Sequence, residues 1–67
     1  MTITVNDKVT RLVEPASLFE LLDHLDLADR KGVAVAINQK VVPRRVWRKC
    51  QLADGDGVTV IEATQGG

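Results

Sequence analysis

Thr2 and Thr4 alternate with Ile3 and Val5, the period-two pattern of a strand with one buried face. The turn pair Asn6-Asp7 follows, and the β-branched stretch from Val9 to Val13 predicts the return strand of a hairpin. Glu14-Pro15-Ala16 then interrupts the ladder. Ser17 can accept from backbone amides at a helix start while Glu20, three residues on, reaches back in a capping box. Leu18, Leu21, Leu22 and Leu25 recur at helical spacing, so the pattern predicts a helix over 17–27 that lays one leucine stripe on a sheet.

Asp29-Arg30-Lys31-Gly32 is polar and ends in a helix-stopping glycine. The run Val33-Ala34-Val35-Ala36-Ile37 is apolar without alternation, which suits a central strand covered on both sides or one lying under the helix. Asn38-Gln39-Lys40 turns into a short strand at Val41-Val42, and Pro43 stops it because proline cannot donate to a ladder. Residues 44–51 are expected to be irregular or a single helical turn. Asp54-Gly55-Asp56-Gly57 predicts a tight turn and Val58 to Ala63 a last strand. The order ββαβββ, with a right-handed crossover, lets the first and last strands become parallel neighbours in the middle of a sheet. The fold class is therefore α+β, a β-grasp or ubiquitin-like roll. It has a four- to five-stranded mixed sheet with one main helix packed across it. Residues 1–63 are expected to form the domain and 64–67 a flexible tail.

At 67 residues the chain is a single domain, and 45% hydrophobic residues suffice for one compact aliphatic core. Nine basic residues balance nine acidic ones, so net charge gives no push toward nucleic acid or membrane. No apolar stretch is long enough to span a bilayer, and Met1 leads into strand residues rather than a signal peptide. The single Cys50 cannot form an internal disulfide and points to a reducing compartment, so a cytoplasmic location is expected. One Cys and one His supply no metal site.

The chemistry is expected at the last residues. Gly66-Gly67 can take backbone conformations closed to other residues and thread a slot that rejects any side chain, and the α-carboxylate of Gly67 is a derivatisable acyl group. Elsewhere the candidates have plainer readings. Arg44-Arg45-Val46-Trp47-Arg48-Lys49 joins cations to an aromatic, read as a solvated loop with Trp47 covering the core, as a partner-docking patch using Arg44, Trp47 and Arg48, or as an RNA-binding run. Glu20, Asp23, Asp26 and Asp29 form a wet helix face, and His24 a surface imidazole. No nucleophile–base pair or Gly-rich phosphate loop is present, so the chain is expected to be acted upon rather than to catalyse.

From end to end the chain resembles the ThiS-type sulfur carriers of thiamine biosynthesis. The matching stretches are the hairpin at Asn6-Asp7, Leu18-Phe19-Glu20-Leu21-Leu22, Ala36-Ile37-Asn38, Val42-Pro43-Arg44 with Trp47, Asp54-Gly55-Asp56 and the terminal Gly66-Gly67. The resemblance implies that a ThiF-type adenylyltransferase joins AMP from ATP to Gly67. Sulfur originating from cysteine then replaces AMP to leave a thiocarboxylate, which a ThiG-type thiazole synthase uses. Gly66 and Gln65 would thread the partner's active site. It also implies that the carrier binds no cofactor of its own, ATP and the sulfur donor being used by its partners, and that it is monomeric when free. Thr64-Gln65 departs from the more apolar residues of some members. The MoaD-like subunit of molybdopterin synthase and a ubiquitin-like protein modifier share the fold and the diglycine and stand as alternatives.

Overall fold

The computed structural model describes residues 1–63. Strands β1 (Thr2–Val5) and β2 (Lys8–Arg11) form a hairpin, helix α1 (Leu18–His24) crosses over, and β3 (Val33–Ile37) and β4 (Lys40–Val42) form a second hairpin. A short 3-10 turn (Arg44–Val46) and a loop lead to β5 (Gly57–Glu62). The sheet has five strands in the order β2-β1-β5-β3-β4. β5 is thus the central strand, antiparallel to β3 from Val33↔Glu62 to Ile37↔Val58 and parallel to β1 through Thr4↔Gly57 and Val5↔Val58. This is the β-grasp arrangement expected from the order of elements.

Both hairpins close on two consecutive residues in the left-handed region, Asn6 and Asp7 at φ 50° and 69°, and Asn38 and Gln39 at φ 50° and 73°. Such pairs match the twist of the flanking strands, and asparagine tolerates the conformation. The two asparagines also stitch the turns to β5. Asn6 accepts from the Val60 amide at 2.8 Å and donates to its carbonyl at 3.2 Å, continuing the ladder where β1 has ended. Asn38 accepts from the Gly57 amide at 2.9 Å and donates to the Asp56 carboxylate at 3.1 Å.

The capping box is present: Ser17 Oγ accepts from the Glu20 amide at 3.1 Å, and the Ser17 amide donates to Glu20 Oε1 at 2.9 Å. The helix is shorter than the expected 17–27. It ends because Asp26 turns left-handed at φ 60°, so that its amide reaches the Asp23 carbonyl at 3.1 Å and the Leu27 amide reaches the Leu22 carbonyl at 2.8 Å. That is a Schellman closure with aspartate in the place usually taken by glycine. Leu25 consequently leaves the stripe and is partly exposed, while Leu27 packs against the core. Strand β3 is not covered on both sides either. Val35 is buried beneath the helix but Ala34 is exposed, the apolar alanines having masked an ordinary alternation.

Leu18, Leu21 and Leu22 meet Ile3, Val35 and Val58 across the sheet, and Ala28, Trp47 and Leu52 close the end of the core. Trp47 is only 2% exposed, and its indole N–H donates to the Val42 carbonyl at 3.0 Å. Burial of a ring this size with its one polar atom satisfied anchors the irregular segment that carries it. The cap offers a simple check of the helix assignment. Ser17→Ala should lower the unfolding free energy by about 1 kcal/mol without changing the urea m-value, and an unchanged denaturation midpoint would show that the box contributes nothing.

Candidate functional site

β5 is the central strand and runs to Glu62, with Ala63 following it. Three of the expected site residues, Gln65, Gly66 and Gly67, lie outside the described residues, as does the rest of the expected 64–67 tail. Ala63 is the last described position, and its amide donates to the Gly32 carbonyl at 2.8 Å. Beside it Arg30 Nη1 pairs with Glu62 Oε2 at 3.0 Å.

The basic segment divides its three expected docking residues among different tasks. Trp47 belongs to the core, so its ring is not part of an exposed docking patch. Arg44 is spent on the fold: its guanidinium donates to the Ala28 and Arg30 carbonyls, each at 2.6 Å, and lies 4.5 Å from the Trp47 ring centroid. Two backbone acceptors and a ring face hold that side chain where it is. Arg48 rests its guanidinium 3.8 Å from the Phe19 ring centroid and stays exposed, together with Arg45 and Lys49. Phe19, Ala28, Asp29, Arg44, Arg45, Trp47 and Arg48 line a shallow depression of about 290 Å³, too open to enclose a small ligand.

The acidic residues do not converge. Glu20 is committed to the helix cap, Asp26 forms the helix end, and Asp23, Asp29 and His24 are exposed. Among the described residues no group of His, Cys, Asp and Glu could hold a metal ion. No helix among them is long and apolar enough to cross a membrane. Cys50 is half-buried, and its thiol is pushed above the ordinary 9.0 first by desolvation and then by the Asp56 carboxylate.

The sheet face opposite the helix was not singled out from the sequence. Ala34 pairs with Ile61, and Ala36 with Thr59 and Val41, so small and apolar side chains cover this face; Ile61 is 63% and Val41 78% exposed. The alternation Val58 and Val60 inward, Thr59 and Ile61 outward, carried that signal. Arg30, Gly32 and Glu62 were also missed, because their meeting depends on contacts between residues about thirty positions apart.

A mixed sheet gripping one helix, with the last strand at its centre, defines a β-grasp domain of the ubiquitin-like type. The chain belongs to the ThiS family, whose model matches residues 2–67. It is 36% identical over 67 residues to the sulfur carrier protein ThiS of Escherichia coli K12, with 100% of each chain covered. It is also 31% identical over 67 residues to the uncharacterized protein ycf40 of Porphyra purpurea, covering 100% of this chain and 93% of that one. The crystal structure of the thiamine biosynthesis protein ThiS from Geobacter metallireducens superposes with a TM-score of 0.83 at 32% identity, covering 100% of both chains.

The raised Cys50 pKa makes a testable distinction between a structural thiol and a reactive one. At neutral pH the thiol should stay protonated and react with iodoacetamide more slowly in the folded protein than in urea. Because the folded pKa is the higher one, its contribution to stability is complete below the unfolded value near 9.0 and is lost as pH rises through the folded one. Faster alkylation of the folded protein would contradict this assignment.

Proposed function

We propose that Gly67 is the point at which this protein carries sulfur for thiazole formation in thiamine biosynthesis. The observation that supports this most is the family match reaching residue 67, so that both terminal glycines fall within it. The chain is a ThiS-family sulfur carrier, and it is acted upon rather than acting as a catalyst. The central β5 gives the tail a fixed base, and four further residues reach at most about 14 Å, enough to enter a partner's pocket.

A carboxylate is a poor electrophile, so it must first be activated. The Gly67 carboxylate attacks the α-phosphorus of ATP in a ThiF-type adenylyltransferase, releasing pyrophosphate and leaving an acyl adenylate. A persulfide sulfur derived from cysteine then displaces AMP. Cleavage of the remaining S–S bond by a thiol reductant leaves the thiocarboxylate, a soft sulfur nucleophile tethered to a protein and handed to a ThiG-type thiazole synthase. Gly66 and Gln65 pass through the narrow part of the partner's channel. The carrier binds no cofactor itself, is monomeric when free and works in the cytoplasm. The docking role expected of Arg44, Trp47 and Arg48 stays with the exposed Arg44 and Arg48, with Arg45 beside them, Trp47 being buried.

Incubation with a ThiF-type enzyme, ATP and a persulfide donor should raise the intact mass by about 16 Da, confined to the C-terminal fragment. Absence of that gain would remove the carrier reading. Gly66→Ala should slow the same conversion at unchanged melting temperature, because a Cβ is added within the channel. Reversing charge in an Arg45→Glu, Arg48→Glu variant should weaken affinity for the activating enzyme most at low salt; equal affinity at low salt would remove the docking role.

A further inference from the structure

We propose that the loop joining α1 to β3 is a bracket that fixes where the tail leaves the domain, and that Gly32 is a positioning residue for activation of Gly67. This rests on the carrier reading. Near its C-terminal end β5 is held from one side among the described residues: β1 pairs with it only at Gly57 and Val58, and Asn6 extends that edge only to Val60. From Ile61 onward the hold comes from β3 and from the loop that precedes it, through Val33↔Glu62, the Arg30–Glu62 pair and the Ala63 amide on the Gly32 carbonyl.

Gly32 packs against Ala63 with less room than a side chain ordinarily has, so that a Cβ would make the neighbour give by a few tenths of an ångström. Its φ is +77°, and a Cβ placed there would lie 3.1 Å from the Ala63 carbonyl oxygen and 3.4 Å from the Ala63 Cβ. The first contact is with backbone, so a side chain would displace the base of the tail itself. The loop in turn is fastened from behind. Arg44 ties down the Ala28 and Arg30 carbonyls, Arg30 Nε donates to the Asp26 carbonyl at 3.1 Å, and Ala28 is buried in the core. A continuous set of contacts thus runs from the segment after Pro43, through the loop, to Ala63.

The Arg30–Glu62 pair is exposed and adds little to stability. What the bracket supplies is placement. Four residues have about 14 Å of reach and little slack when drawn through a partner's slot. A shift of a few tenths of an ångström at Ala63 that is passed on to the acyl carbon is expected to cost about tenfold in rate, since a misplacement of about 1 Å can cost on the order of a hundredfold.

Gly55 provides a matched control: its φ is +89°, yet a Cβ there would meet nothing within 4 Å. Both Gly32→Ala and Gly55→Ala place a side chain in the left-handed region, but only the first pushes on Ala63. With a ThiF-type enzyme and ATP, pyrophosphate release for Gly32→Ala should show kcat reduced about tenfold and KM within about twofold of wild type, whereas Gly55→Ala should retain both. The Ala63 amide should exchange with deuterium faster in Gly32→Ala than in Gly55→Ala, a readout that needs no enzyme. Should Gly32→Ala be compromised in folding, Arg30→Glu and Glu62→Arg singly should lower kcat and their combination should restore it. Equal kcat and equal Ala63 exchange in the two glycine variants would overturn the bracket. A wild-type protein that supports no pyrophosphate release would instead overturn the carrier reading beneath it.

Discussion

The structure depends on β5 being held as the central strand. Among the described residues it is the last strand in sequence and the only one that joins the two hairpins, antiparallel to β3 and parallel to β1. A parallel pair cannot be linked by a tight turn, and here almost the whole chain lies between its members. The hairpins are local and each closes on a left-handed pair. Joining them requires long-range order: Val58 buried beside Ile3 under the leucines of α1, and Asn6 and Asn38 completing hydrogen bonds that the strands leave open. Packing and backbone pairing thus converge on the element that delivers the tail.

That arrangement explains how so small a domain serves a carrier role without a catalytic cleft. A sulfur carrier works with partner enzymes, and on the proposed reading those partners perform activation and transfer, so the protein needs a dependable base for its acyl group and surfaces by which to be held. The polar chemistry among the described residues is largely structural. Glu20 caps, Asp54 accepts from the Thr2 amide at 2.7 Å, Asp56 accepts from the Ala53 amide at 2.8 Å, and Arg44 binds carbonyls. What is left free is an apolar sheet face and a few cations beside the depression at Phe19. Membership of the ThiS family, together with the full-length likeness to a sulfur carrier protein ThiS, places the carrier in thiamine biosynthesis.

Features that rest on neighbouring residues were legible in the sequence. Ile3 and Val5 alternate with threonines, Ser17 and Glu20 stand at capping distance, and Asn6-Asp7 has turn chemistry, so the first hairpin and the helix start follow from local physics. The helix end did not, because aspartate rather than glycine adopts the left-handed position at residue 26 and the leucine spacing continues to Leu25. Ala34 and Ala36 hid the alternation of β3, since alanine is compatible with either face. Trp47 in a basic run admits several readings from sequence, and only the folded packing shows its ring 2% exposed in the core. Gly32 reads from sequence as a helix stop, yet α1 ends at His24, and the tertiary partner of Gly32, Ala63, lies outside any local window of sequence.

The central claim concerns the fate of the sulfur, and it is tested most directly by following it. The protein would be loaded with radiolabelled sulfur through the activating enzyme, repurified and given to the thiazole synthase with its other substrates. The account requires label to leave the protein and appear in the thiazole product in equal amount, with a chain lacking Gly66-Gly67 taking up none. Label retained on the protein while unlabelled thiazole forms would contradict it.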